Sequence, residues 1–272
     1  ASISEGAKLQ QSIGGVETLF KESAGRVRDY ARQAYKTSGV SANEYMEGVT
    51  SFAASLLQST AGNTRKAADV SNMAFMDMSD NANKMGTHMG DIQNAYQGFA
   101  KQNYTMLDNL KLGYGGTKKE MERLLKDAQE ITGVKYDINN LSDVYQAIHA
   151  IQGKLDITGT TAKEAATTVS GSFGQMKAAF KDVLGNIAIG ENVKESFSNL
   201  AVTVKTFVFD NLIPMIGEIF KNIPKGITSF AQTMGPMLAE EGKKLVESLG
   251  KGFSNNQALT TAFNGIKTSV SG

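Results

Sequence analysis

Between Met78 and Leu110 the residues Met78, Ala82, Met85, Met89, Ile92, Tyr96, Phe99, Asn103, Met106 and Leu110 recur at alternating steps of four and three. A repeat of 3.5 residues keeps such a set on one seam of a helix, where a second helix, from this chain or from another copy, packs along it. The pattern therefore predicts one helix over Met78–Leu110, with Met85, Met89, Ile92, Tyr96, Phe99, Asn103, Met106 and Leu110 as its contact seam. Asn103 is the strongly polar member, and a lone amide among apolar seam positions is expected to set register or copy number. Gly86, Gly90 and Gly98 lie off the seam. Each weakens an isolated helix by roughly 1 kcal/mol relative to Ala, so packing has to hold this one.

The rest of the chain carries the same helical grammar. A first short helix is expected around Lys8–Ile13, stopped by Gly14-Gly15. Ser41 and Glu44 form a capping box flanked by the staple pair Val40 and Tyr45, and Tyr45, Val49, Phe52 and Leu56 follow on one face up to Gly62. Thr64 is read as the cap of the next helix, which runs to the acidic stretch Asp77–Asp80. The glycines of Leu112-Gly-Tyr-Gly-Gly116 make an elbow, and Thr117 with Glu120, then Thr161 with Glu164, read as two more capping boxes. Phe173, Met176, Phe180, Val183 and Ile187 keep helical spacing up to Gly190. Three prolines against 28 glycines fit many helices with many interruptions, and alternating strand patterns are nearly absent. The expected fold class is all-α, a multi-helix bundle of short to medium helices.

Composition shifts near residue 190, where the chain turns more apolar and gains all its prolines, so a helical globular domain over 1–190 and an apolar, amphipathic segment over 191–272 are expected. Phe197, Leu200, Val204 and Phe207 follow helical spacing, and Pro214 should kink or break the helix near Asp210. The run between Lys205 and Glu218 is too short to span a bilayer. The alternative is a kinked hairpin over 193–238 that touches a membrane surface through Phe197, Leu200, Val204, Phe207, Leu212, Ile213, Pro214, Ile216, Ile219 and Phe220. Leu245, Leu249, Phe253 and the residues after them read as two weakly apolar helices.

Little points to chemistry. The chain has no cysteine, which removes thiolate ligands and nucleophiles together. Asp77, Asp80 and Asp91 with His88 lack calcium-loop spacing, and surface acids near helix ends are the expectation. His88 and His149 are far apart and outside any zinc motif. The glycines before Thr117-Lys-Lys119 lack both the preceding strand and the spacing of a phosphate loop. Arg26, Arg28 and Arg32 interleave with Tyr30 and Tyr35, a pattern that could serve nucleic acid, but Glu22 and Asp29 on the same helix favour a solvated face with inward tyrosines. Lys plus Arg number 28 against 27 Asp plus Glu, so no field selects for polyanions and no sequence-specific nucleic-acid binding is expected. No enzyme activity, metal or other cofactor is expected. The ends, Ala1-Ser-Ile-Ser and Thr-Ser-Val-Ser-Gly272, suggest a piece of a longer chain made and assembled in cytoplasm.

Several long strings carry a resemblance: KLQQSIGGVETLFK, YMEGVTSFAASLLQS, MSDNANKMGT, NAYQGFAKQNYTMLDNLKLGYGGTKKEMERLL and DNLIPMIGEIF. Together they make the chain resemble the globular portion of tail tape measure proteins of siphophages and prophages of Gram-positive bacteria. The resemblance implies a virion structural protein that occupies the tail tube lumen in several copies, takes part in setting tail length, and leaves ahead of the DNA during genome ejection. It implies as partners further copies of itself, the tail tube protein, tail assembly chaperones, distal tail and baseplate hub proteins, and the host membrane during ejection. The runner-up expectation is a membrane-active helical protein, pore-forming or toxin-like, acting through residues 191–238.

Overall fold

The computed structural model describes residues 2–222. Among them the chain is all-α, with no strand. The helices are α1 (Ser2–Phe20), α2 (Ala24–Thr37), α3 (Ala42–Ser59), α4 (Thr64–Met85), α5 (Met89–Ala100), α6 (Lys118–Thr132), α7 (Leu141–Lys154), α8 (Thr160–Thr167), α9 (Val169–Ile189), α10 (Val193–Lys205) and α11 (Ile213–Asn222). A π-helical segment, Thr206–Leu212, follows α10. The chain divides into two units, Ala1–Ile213 and Pro214–Gly272. The first therefore extends past the composition shift at residue 190 and includes α10. The hairpin expected over 193–238 lies outside the described residues from residue 223 on, as do the helices expected around Leu245–Phe253.

One hydrophobic core runs through the first unit from Leu9 to Ile157, joining α1 to α7. Its largest fully buried side chains include Phe20, Tyr45, Phe75, Tyr96, Phe99 and Tyr145. The rings interlock: Phe52 meets Tyr145 edge-on at 5.5 Å and Tyr96 lies 5.0 Å from Tyr145. Buried tyrosine hydroxyls usually find a partner, and two here do while that of Tyr96 has none among the described residues. Tyr145 donates to the Tyr96 carbonyl at 2.9 Å and Tyr45 to Asn72 Oδ1 at 2.9 Å.

The single helix expected over Met78–Leu110 does not form. Gly86 sits in the left-handed region at φ +66° and closes α4, and His88 caps a new helix, α5. α5 ends at Ala100, where the chain folds back so tightly that a Cβ on Gly98 would lie 3.0 Å from the Asn103 carbonyl oxygen. Asn103 is exposed in this turn and its side chain accepts from the Thr105 N–H at 3.1 Å, so it caps a turn and sets no register. Met106 is exposed as well, whereas Ile92, Tyr96, Phe99 and Leu110 are buried and Met85 and Met89 pack half-buried on the core. The apolar seam residues thus reach one core through three separate elements.

Other boundaries differ for equally local reasons. α1 runs straight through Gly14-Gly15, because burial of Leu9, Val16 and Phe20 outweighs a glycine cost of roughly 1 kcal/mol each. α4 starts after Asn63, which caps it in place of Thr64, and continues past Asp77 and Asp80, which are buried in mid-helix and not on the surface. The box at Ser41 and Glu44 forms reciprocally. Thr117 does accept from the Glu120 N–H, but the Glu120 carboxylate turns to Gly115 N and Arg123. No box forms at Thr161. Instead Asp80, from α4, accepts from Gly159 N at 2.6 Å and Thr161 N at 2.8 Å and caps α8 across about eighty residues of sequence.

Candidate assembly surface

Polarity turns over between the core and the hairpin formed by α9 and α10. Along α9 the buried positions are Ser172, Gln175, Ala178, Ala179, Val183 and Gly185, mostly small or polar. The large apolar residues of the same helix point away: Phe173, Phe180 and Ile187 are 49%, 50% and 47% exposed. α10 and the π segment repeat the arrangement. Ser196, Thr203 and Asn211 are buried, while Phe197, Val202, Val204 and Phe209 are exposed. A small cluster, Tyr35, Ala178 and Ala179 with Leu200 against it, forms an apolar interior here, and Val183 is buried as well.

The exposed apolar residues of the two helices share a face. Around α10, Asn199 lines a cleft against α1 and α2, Leu200 packs against the cluster of Tyr35, Ala178 and Ala179, and Phe197 and Val204 come next around the helix, beyond Leu200. The rings of Phe173 and Phe207, 5.3 Å apart, join the start of α9 to the π segment. On the far flank of α10 lie Val202 and Phe209.

The hairpin is held to the core helices by close backbone approach and by polar contacts. A Cβ on Gly6 would lie 2.3 Å from Ala188 Cβ, and one on Gly185 would lie 3.1 Å from Leu9 Cδ2, so α1 and α9 cross where glycines allow it. Arg28 on α2 bridges to Glu191 at 2.7 Å, and Lys181 pairs with Glu44. Asp182 accepts from Ala42 N, the first residue of α3, at 2.7 Å. Burial pushes the Asp182 carboxyl up to about 7, with the neighbouring Glu44 acting in the same direction and the Ala42 N–H and Lys181 opposing. The cleft beside it, lined by Arg28, Arg32, Asn186 and Asn199 among others, encloses about 40 Å³, room for a water molecule or so.

The π segment follows from Pro214. A proline has no N–H to give and its ring collides with the carbonyl four residues back, here that of Asp210. The wider π turn over Thr206–Leu212 relieves this at the position where a kink was expected. Asn211 Nδ2 donates to the Thr206 carbonyl at 2.9 Å and to the Ala166 carbonyl at 3.2 Å, tying the segment to α8. Lys205 and Asp210 pair across it at 3.2 Å. From Val193 to Glu218 the helix is continuous over 26 residues, with mean hydropathy 1.3 in its most apolar window and 11% of that window buried. The run between Lys205 and Glu218, read as too short to span a bilayer, is thus part of a longer helix that is long and apolar enough to cross one by length and composition, a test that core helices of soluble proteins also pass. Of the expected membrane-contact residues, Phe197, Val204, Ile213 and Pro214 are exposed and Leu200, Phe207, Leu212 and Ile216 half-buried. Ile219 and Phe220 lie outside the residues whose side chains are described.

A buried polar network lies elsewhere, between α4 and α7. His149 Nδ1 sits 2.9 and 3.0 Å from the two Asp77 oxygens, Gln152 Nε2 donates to the Asp77 carbonyl at 3.1 Å, and Asn81 Nδ2 donates to Gln152 Oε1 at 2.8 Å and to the Leu110 carbonyl at 2.9 Å. The hydrogen bond to Asp77 raises the His149 pKa, and burial raises that of Asp77. Sequence spacing gave no sign of this pair, since Asp77 and His149 meet only through helix packing. Among the described residues no group of three His, Cys, Asp or Glu is placed to hold a metal. Arg26 pairs with Asp69, Arg28 with Glu191 and Arg32 with Asp29, while Tyr30 donates to Asp69 and Tyr35 is buried.

Compared with protein-family models, with curated proteins and with solved structures, the chain matches none.

Proposed function

We propose that the chain is a structural assembly protein, the folded part of a phage tail tape measure protein that occupies the tail tube lumen and leaves ahead of the genome. The observation that carries an assembly role is the outward apolar face of α9 and α10, which a protein working alone in water would be expected to bury. The resemblance of its long literal strings supplies the tail. The glycine-closed helices support placing the length-setting rod elsewhere in the parent chain, because among the described residues α4, with 22 residues, reaches only about 33 Å and the 26-residue run Val193–Glu218 about 40 Å at 1.5 Å per residue. In this reading the partners are further copies, the tube protein, the assembly chaperones and the hub proteins.

Purified tails of the source phage or prophage test it. The chain should be present in intact particles, cross-link to the tube protein, and be lost after triggered DNA release. Its absence from intact particles would exclude the reading.

The runner-up is a membrane-active protein, favoured by the continuous apolar helix Val193–Glu218. It requires the whole chain to release dye from liposomes at low micromolar concentration, and an inert result removes it.

A further inference from the structure

The face shared by α9 and α10 has a period. Phe173, Phe180 and Ile187 follow one another at intervals of seven, and so do Phe197 and Val204 on the antiparallel neighbour. The spacing marks one stripe on each helix, as on any helix that packs along one side. A seven-residue repeat keeps side chains in register with the holes of another helix packed at a shallow angle. Two adjacent helices carry it, with three residues on α9 and two on α10.

We infer that this face is covered by a second copy of the chain, with two α9–α10 hairpins closing face to face into an antiparallel four-helix bundle about a two-fold axis near Phe180. Where the Proposed function holds, this names the face through which copies meet; the inference itself rests on the hairpin alone. The two-fold suits the stripe: with Phe180 on the axis, Phe173 of one copy meets Ile187 of the other, and the same patch serves both sides. Size also fits. A phenylalanine offers roughly 150–250 Å², so five residues between 37% and 50% exposed contribute about 400 Å² of apolar area per copy. Over both copies that is about 800 Å² of apolar area, and a polar rim supplies the rest of the roughly 1,200–2,000 Å² a specific dimer buries. The other flank of α10, with Val202 and Phe209, is left outside the bundle and is broken by the exposed Lys194 and Lys205.

Sedimentation equilibrium of the whole chain between about 1 and 100 μM tests this. Wild type is expected to dimerise, and Phe180→Glu to weaken the dimer about 30-fold or more, the loss of a central apolar anchor. Circular dichroism should show unchanged helix content, since position 180 is half exposed in the monomer. Val202→Glu, on the other flank, should leave the dimer intact. Because the chain has no cysteine, Phe180→Cys gives a second readout: under mild oxidant it should form a covalent dimer, and Val202→Cys should not. A monomer at every concentration, a dimer indifferent to Phe180→Glu, or a monomer that floats with phosphatidylglycerol vesicles through this face overturns the inference. None of those results bears on whether the chain is found in tails.

Discussion

The two helical regions of the first unit solve the packing problem in opposite ways. In α1–α7 the large side chains face inward and interlock, as Tyr96, Phe99 and Tyr145 do, and the surface carries the charges. In α9–α10 the inward positions are mostly small or polar, Ser, Thr, Gln, Ala and Gly with one Val, while Phe173, Phe180 and Phe197 face out. Both are helices of similar length with helical apolar spacing in sequence. The difference teaches that an amphipathic pattern fixes which residues share a stripe, while the neighbours decide whether the stripe is inside. α5 is enclosed by α3, α4 and α7, but α9 meets α1 through Gly185 and Ala188 and has α10 and α8 beside it.

The largest effect that separates the regions should come from paired truncations. Phe99→Ala, which empties a site 2% exposed beside Tyr96 and Tyr104, is expected to cost about 3–5 kcal/mol in urea unfolding. Phe180→Ala in dilute protein should cost less than about 1 kcal/mol. Equal costs would mean that the hairpin face is already covered within one chain.

The contact between the regions should respond to pH. The Asp182 carboxyl is raised to about 7 in the folded protein from an ordinary 3.8, so between those values the folded state holds a proton that the unfolded state has released. Stability from this group is therefore full below about pH 4 and is lost as pH rises through 7. Asp182→Asn keeps an oxygen for Ala42 N and cannot ionise. Relative to wild type it should gain roughly 1–4 kcal/mol on going from pH 4 to pH 8. A constant difference across that range would place the carboxyl in water.

Within the hairpin, polar interior positions should behave unevenly, and by smaller amounts. Asn211→Ala abandons the Ala166 and Thr206 carbonyls and should cost about 1–2 kcal/mol. Thr203→Val loses only a hydroxyl bonded to Leu200 in its own helix and should stay within roughly 0.5 kcal/mol. If Thr203→Val proved the costlier, the hairpin interior would depend on that hydroxyl more than its bonds suggest.

Much of the fold was legible because local signals and packing agree where helices begin. Ser41 with Glu44 formed the box its spacing promised, and Pro214 disturbed the helix at the expected place. The long seam was misread because residues on one 3.5-residue repeat need not belong to one helix. Gly86 closes α4, and Gly98 inside α5 lets the chain fold back past Ala100, without disturbing the register of apolar positions. The capping role of Asp80 and the Asp77–His149 pair were illegible because each joins helices some seventy to eighty residues apart. The stripe on α9 was visible in sequence, but its outward direction was not, because periodicity carries no sign.

Direct measurement of that direction tests the central claim. Single cysteines can be placed in this cysteine-free chain at Val49→Cys, inside the core, and at Phe180→Cys, on the hairpin. In dilute monomeric protein under native conditions, a thiol reagent should modify position 180 at nearly the rate of a free thiol and position 49 at least about 100-fold more slowly, since a fully buried group reacts only through opening. Protection of position 180 equal to that of position 49 in the dilute protein would contradict the account.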